Sequence, residues 1–191
     1  MTTQGQALCW GEDDFGHINI ERLRRDPVDQ ASELKYGSIK RLTDEAYRDA
    51  ERMIDELAIK DSVSFVSGLT DTELAELVGS AEVACVPSLY EGFSLPTVEA
   101  MACGTPLVVS RAGAIPEVVG PDGLCADLVT PGDVGELAGA LEALLDDPER
   151  RHRMGAAGRE RALSTFSWRA VAEATAAAYQ RAIDHTITRG D

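Results

Sequence analysis

Four short runs, "SVSFV" (62–66), "EVACVP" (82–87), "PLVVS" (106–110) and "GLCADLV" (123–129), are apolar with little alternation, and each is followed by a stretch with helical or turn character. A strand that is apolar at nearly every position has both faces covered. Such strands, separated by helices, belong to a parallel sheet with helical layers on both sides. The expected fold is therefore α/β, a Rossmann-like parallel sheet with helices on both faces.

The intervening stretches fit. "TDTELAELVGSA" opens on a capping signal, Thr70 or Asp71 ahead of Glu73, and places Leu74, Leu77 and Val78 at helical spacing. "PTVEAMAC" stops at Gly104, "GAIPEVVG" reads as a short helical turn, and "TPGDVGELAGALEALLDD" repeats Leu137, Leu141, Leu144 and Leu145 as one stripe. "PERRHRMGAAGRERALSTF" and "SWRAVAEATAAAYQRAI" read as two further helices meeting near Ser167. Residues 41–191 are assigned to this one domain, a size that buries a real core. Residues 1–40 mix charges and glycines without sustained period; they read as an atypical segment, a candidate in part for disorder, with no recognisable phosphate-binding opening strand.

A formal charge of −15 and a pI near 4.5 argue against nucleic acid or an anionic membrane as the main partner. No apolar run reaches the roughly 18 to 20 residues of a transmembrane helix, and "MTTQGQ" lacks the features of a signal peptide, so a cytoplasmic location is expected. Cys9, Cys85, Cys103 and Cys125 show no C-x-x-C spacing and read mainly as small buried thiols; His17, His152 and His185 are scattered. No metal site and no cofactor are expected.

The stretch "PSLYEGFSLPTVEAMACGTP" follows the second strand. In open α/β sheets ligands bind beyond the carboxyl ends of the strands. Gly92 lets a backbone approach a ligand, Ser94 is a candidate cap, and Pro96 suits the first helical position. The amides of Phe93, Ser94 and Leu95 would then face a ligand in the positive field of the helix, an anion site that suits a diphosphate. Glu91 and Glu99 would flank it, each offering acceptor oxygens to paired hydroxyls. A nucleotide sugar, with a diol on either side of its phosphates, has the matching shape. Taken singly, Glu99 also serves as a helix-dipole partner and Glu91 as a solvated loop residue.

"PSLYEGFSLPTVEAMACGTPLVVSRAGAIPEVV" resembles the E-x7-E region of retaining glycosyltransferases of family four, within the nucleotide-sugar-binding C-terminal domain of the GT-B fold. The resemblance runs from about Asp61 through "FSW" (166–168) and the closing helix, about two thirds of the chain. It implies a hexosyltransferase whose donor is a UDP-sugar ahead of a GDP-sugar. Glu91 would contact the donor sugar as the catalytic-site acid, and Glu99 would hold the ribose diol. The amides of Phe93, Ser94 and Leu95 beside Gly92 would meet the phosphates or sugar, and Gly68 and Leu69 would lie near the base. It implies metal-independent chemistry, with attack on the face the diphosphate leaves; the family has no settled protein nucleophile, and no residue is assigned that role.

The chain departs from the family pattern in three places. Ser94 stands where members often carry glycine. The basic pair that neutralises the diphosphate has no clear counterpart; Arg22, Arg24, Arg25, Lys35, Lys40 and Arg41 qualify by charge alone. The N-terminal acceptor domain is missing, so the chain reads as a fragment, incomplete as a catalyst by itself.

Several residues carry a second reading. Val171, Ala174, Ala178, Tyr179 and Ala182 share a helical face that either meets another copy or a separate acceptor-binding domain, or packs on this domain's own sheet. Ser110, Arg111, Gly113 and Glu117 follow the third strand and either line the pocket or serve turn structure. Tyr90 reads as a loop anchor, Trp10 and Trp168 as packing residues, and Met101 and Cys103 as core. The alternatives to a transferase are a non-catalytic nucleotide-sugar-binding or interaction module, or another GT-B enzyme such as a sugar-nucleotide epimerase or a phosphorylase.

Overall fold

The computed structural model describes the backbone of residues 6–9, 17–21, 44–66 and 68–188, and the side chains of 48–66 and 68–185. Trp10, Arg22, Arg24, Arg25, Lys35, Lys40 and Arg41, and the side chains of Cys9 and His17, lie outside the described residues.

Among the described residues, six strands form one sheet: β1 (Gln6–Cys9), β2 (His17–Glu21), β3 (Val63–Val66), β4 (Val83–Val86), β5 (Leu107–Ser110) and β6 (Asp127–Val129), in the order β3-β2-β1-β4-β5-β6. The pairs β1–β4, β4–β5 and β5–β6 are parallel. This is the doubly wound order 3-2-1-4-5-6, with its topological switch point between β1 and β4. One strand departs from the expected parallel pattern: β2 runs against both β1 and β3. The reason is chain length. Only residues 10–16 join β1 to β2, and a parallel pair needs a crossover of a dozen residues or more. The sequence reading found no strand among the first 40 residues, whereas β1 and β2 occupy the middle of the sheet.

Around the sheet lie α1 (Asp44–Glu56), α2 (Asp71–Ser80), α3 (Leu95–Cys103), α4 (Ile115–Val119), α5 (Val134–Asp146), α6 (Pro148–Arg161), a π-helical turn (Ala162–Phe166) and α7 (Trp168–Thr188). Ala84, Val86, Leu107, Val109 and Leu128 point to one face, where they pack with Val78, Ala100, Met101, Ile115, Val118 and Ala162. Val83, Cys85, Val108 and Val129 point to the other, against Leu137, Leu141, Leu144 and Met154. Residues adjacent along a strand thus feed opposite cores, which is why β4 is apolar throughout and β5 is apolar up to its last residue, Ser110. Truncating a fully buried member such as Leu141 to alanine costs about 2 to 5 kcal/mol.

Of the two capping candidates for α2, Thr70 is the cap: its hydroxyl accepts from the Glu73 amide while the Glu73 carboxylate accepts from the Thr70 amide. That exchange holds the Glu73 carboxyl below its usual range. The fourth run is shorter as a strand than its apolar stretch, with only Asp127–Val129 pairing.

The basic helix α6 braces the lower part of the fold. Arg151 donates to the carbonyls of Leu144 and Leu145 at the end of α5, Arg159 to Ala102 at the end of α3, and Arg161 to Glu117 and Val118 at the end of α4. Three helices that end without internal donors for their last carbonyls are thereby closed by one. Gly155 lets α6 come close, since a Cβ there would sit 2.1 Å from the Gly104 carbonyl oxygen.

Of the two readings of the α7 face, packing on this domain's own sheet is not realised. Every residue from Val171 to His185 is exposed, so its apolar face does not pack on this sheet, and Trp168, expected to pack, is 91% exposed. Among the described residues, no helix is long and apolar enough to cross a membrane.

Candidate functional site

The turn between β4 and α3 leaves the sheet beside the switch point, the place where open α/β sheets bind ligands. Ser88 is buried at its start and donates to Glu91 Oε1 at 3.0 Å, which orients the carboxylate. The Glu91 carbonyl accepts from the Ala114 amide at 3.1 Å. Gly113 lies flat against Glu91: it has φ +49°, and a Cβ on it would sit 1.8 Å from the Glu91 carbonyl oxygen. This close approach requires glycine. Of the two readings of Gly113, the turn role is therefore realised, and the turn it shapes is the one that carries Glu91.

Ser94 occupies the cap position of α3 without acting as a side-chain cap. It is buried in the left-handed region, φ +67° and ψ 73°, and its Oγ pairs with Thr97 Oγ1 at 2.7 Å instead of taking a helix amide. Pro96 falls in the first turn of a helix that begins at Leu95. The consequence bears on chemistry. Among the described residues, the amides of Phe93, Ser94 and Leu95 have no acceptor in the chain. Strained non-glycine backbone of this kind concentrates at functional sites.

The Phe93 ring stacks edge-on against Phe166, with centroids 5.6 Å apart, so it is drawn toward the π-helical turn. Gly92 is exposed and a Cβ there meets nothing within 4 Å; Leu89, Tyr90 and Leu95 are exposed as well. Tyr90 at 69% exposure does not anchor the loop as expected.

Glu99 is exposed on α3, one turn before Cys103. The Cys103 thiol is pushed above its usual value first by burial and then by the Glu99 charge, and it donates to the Ala75 carbonyl of α2 at 3.7 Å. Glu99 therefore lies on the α2 side of α3, while Glu91 rests on the α4 side. The structure brings Glu91, Gly92, Phe93, Ser94, Leu95 and Glu99 together around the start of one helix. Gly68, with φ +72°, and Leu69 sit at the carboxyl end of β3, on the same sheet edge but three strand spacings from β4, about 14 Å. Arg111 turns away from the turn, pairing with Asp122 at 3.0 Å and the Leu128 carbonyl. Met101 and Cys85 are fully buried and Cys125 nearly so, whereas Cys103 is half-buried. Sequence reasoning missed Ser88 and Phe166; a serine three positions before a carboxylate in a tight turn was the available signal for the first.

A cavity of about 340 Å³ opens at the opposite, amino edge of the sheet, lined by Glu82, Gly104, Arg151, His152 and Arg159 among others. Its arginines are engaged with helix carbonyls and Glu82, so it is a brace region, separate from the turn.

The family model for glycosyl transferases group 1 matches residues 43–161. The chain belongs to this family. Among curated group 1 glycosyltransferases and their relatives, it is 63% identical over 133 residues to the MMP alpha-(1->4)-mannosyltransferase of Mycolicibacterium hassiacum, covering 70% of this chain and 32% of that one. The chain spans about a third of the length of the curated relatives it matches. Among solved structures, sucrose-phosphate synthase from Thermosynechococcus elongatus superposes with a TM-score of 0.65 at 35% identity, over 74% of this chain and 35% of that one. Anabaena HepE in complex with UDP superposes with a TM-score of 0.66 over 72% and 37%; at 24% identity that likeness concerns the fold alone. These neighbours place the group 1 chain in the GT-B architecture.

Proposed function

We propose that this chain holds the donor site of a retaining hexosyltransferase, and that the donor is a nucleoside diphosphate hexose, with UDP-hexose the first candidate. The observation that carries the reading is the set of three acceptor-free amides at the start of α3, at the switch point, with a carboxylate on either flank. A diphosphate there accepts from Phe93, Ser94 and Leu95 in a helix field worth about 0.3 to 1 kcal/mol, so the charge is met without a metal. Glu99 accepts from the ribose diol, and Gly68 and Leu69 border the base. Glu91, oriented by Ser88, accepts from hydroxyls of the hexose as its bond to the diphosphate breaks. Attack on the same face retains configuration without a protein nucleophile. The named activity of the 63% identical relative puts mannose first among the hexoses to test, and HepE is a neighbour crystallised with UDP-glucose as well as UDP.

Calorimetric titration with UDP, GDP, UDP-glucose and GDP-mannose tests this. One nucleotide is expected to bind, and its sugar conjugate to bind more tightly. Glu99→Ala should weaken both by about tenfold or more, the scale of hydrogen bonds to a charged group. Glu91→Ala should weaken the conjugate and spare the bare nucleotide. Equal losses for both ligands in Glu91→Ala would overturn its role.

One observation favours an added interaction role: the uncovered face of α7, with Trp168, Val171, Tyr179 and Ile183 exposed. We assign this face to a second copy or to a separate acceptor-binding domain. Sedimentation of the chain, alone and mixed with such a domain, tests the assignment; a monomer that ignores the added domain would refute it.

A further inference from the structure

We propose that Arg161 is a positioning residue for the Glu91 turn, acting through α4. The inference rests on the donor-site reading for its functional meaning, while its structural part stands alone. Arg161 closes α6 and is 43 positions from Val118 in sequence. Its Nε donates to the Val118 carbonyl at 2.7 Å and its Nη2 to the Glu117 carbonyl at 2.8 Å, a two-pronged grip on the end of α4. α4 has five residues, too few to hold a helix by internal hydrogen bonding. Its register is set from outside.

The other end of α4 carries the contact that matters. Ala114, immediately before it, donates to the Glu91 carbonyl, and Gly113 leaves no slack against the Glu91 backbone. Arg161 thus holds one end of a short element whose other end supports the carboxylate turn. The fit is tight at the near end also. Gly120, with φ +78°, places its missing Cβ 3.3 Å from the Arg161 guanidinium carbon, so a side chain there would crowd the grip. Phe166 leaves the same segment five residues later and meets Phe93, which supports the turn from a second side. The π-helical turn between Arg161 and Phe166 is what sets these two contacts in register, and such turns recur at functional sites.

Site-resolved amide exchange on the whole chain, paired with titration, tests the proposal. Arg161→Met should speed exchange of the Ala114 amide by about tenfold or more, from loss of two charge-assisted bonds. Arg151→Met, which removes the equivalent cap on α5, should leave Ala114 unchanged, so general destabilisation is controlled. Arg161→Lys should restore part of the protection. If Arg161→Met does not fold, Gly120→Ala serves as the milder perturbation with the same expected sign. Equal exchange at Ala114 in the Arg161 and Arg151 variants, or none gained in either, would overturn the proposal whatever the ligand is.

The functional arm reads the ratio of GDP-mannose to GDP affinity, or of UDP-glucose to UDP affinity. Arg161→Met should shrink that ratio with the bare nucleotide bound as before. A ratio unchanged while Ala114 exchange rises would refute the link to sugar binding. A wild-type chain that binds neither pair would instead count against the donor reading, and the exchange result would still decide the role of Arg161.

Discussion

The carbonyl of Glu91 and the amide of Ala114 meet at 3.1 Å, and Gly113 seals the joint with no room for a side chain. Two loops that follow different strands are thereby locked into one edge. The carboxylate turn after β4 cannot shift without moving the start of α4 after β5.

Gly113→Ala is expected to destabilise the fold by about 2 kcal/mol or more, combining a left-handed backbone with overpacking against Glu91. Gly92→Ala, three residues before the start of α3 and in open space, should stay within about 0.5 kcal/mol of wild type in the ligand-free chain, yet weaken donor binding if the ligand approaches the backbone there. Urea unfolding of both variants checks the contrast. Similar costs at the two glycines would refute the packing argument.

Ser94 couples two opposing effects. Its left-handed conformation costs a residue with a Cβ about 1 to 2 kcal/mol, while its hydroxyl satisfies the buried Thr97. Ser94→Ala keeps the strain and loses the bond; Ser94→Gly loses the bond and releases the strain. The glycine variant should therefore be the more stable of the two by about 1 kcal/mol, read from denaturant midpoints at equal m-value. The reverse order would place the strain elsewhere.

Much of the sheet was legible because β4 and β5 announce themselves locally, a strand buried on both faces needing an apolar run, while β3 shows in its β-branched and aromatic residues although Ser64 is exposed. The Thr70–Glu73 cap and the Leu137, Leu141, Leu144 stripe were legible for the same reason, each resting on neighbours three or four positions away. β1 and β2 were not. "QALC" is four residues long with no pattern of its own, and the alternation of "HINIE", with Ile18 and Ile20 between polar residues, spans only five positions inside a charged, glycine-rich stretch, so the sequence reading passed over it. The carboxylate pair and its helix were readable as a motif, but what fixes them was hidden. Arg161 looks like any solvated charge in "GRERAL", since the carbonyls it grips lie more than forty positions away. Trp168 misled for the converse reason: apolar residues at helical spacing specify a face without specifying what covers it.

Asp127 offers a test of electrostatics away from the site. It opens β6, is nearly buried, and pairs with Arg150 of α6. Burial pushes its carboxyl above the usual 3.8; Arg150 pulls the other way without overcoming it, and Asp122 adds to the rise. The folded chain therefore binds this proton more tightly than the unfolded chain does. The stability contributed by protonated Asp127 is present in full below about 3.8 and is lost as pH rises through the higher folded value. Asp127→Asn keeps an acceptor for Arg150 and removes the titration. The stability of wild type relative to this variant should thus shrink as pH rises from about 3.8, no faster than about 1.4 kcal/mol per pH unit, and then level off. Urea unfolding across that range measures it. A difference that grows with pH would mean that the Arg150 pair outweighs burial, and that α6 stabilises β6 by charge rather than merely neutralising a buried acid.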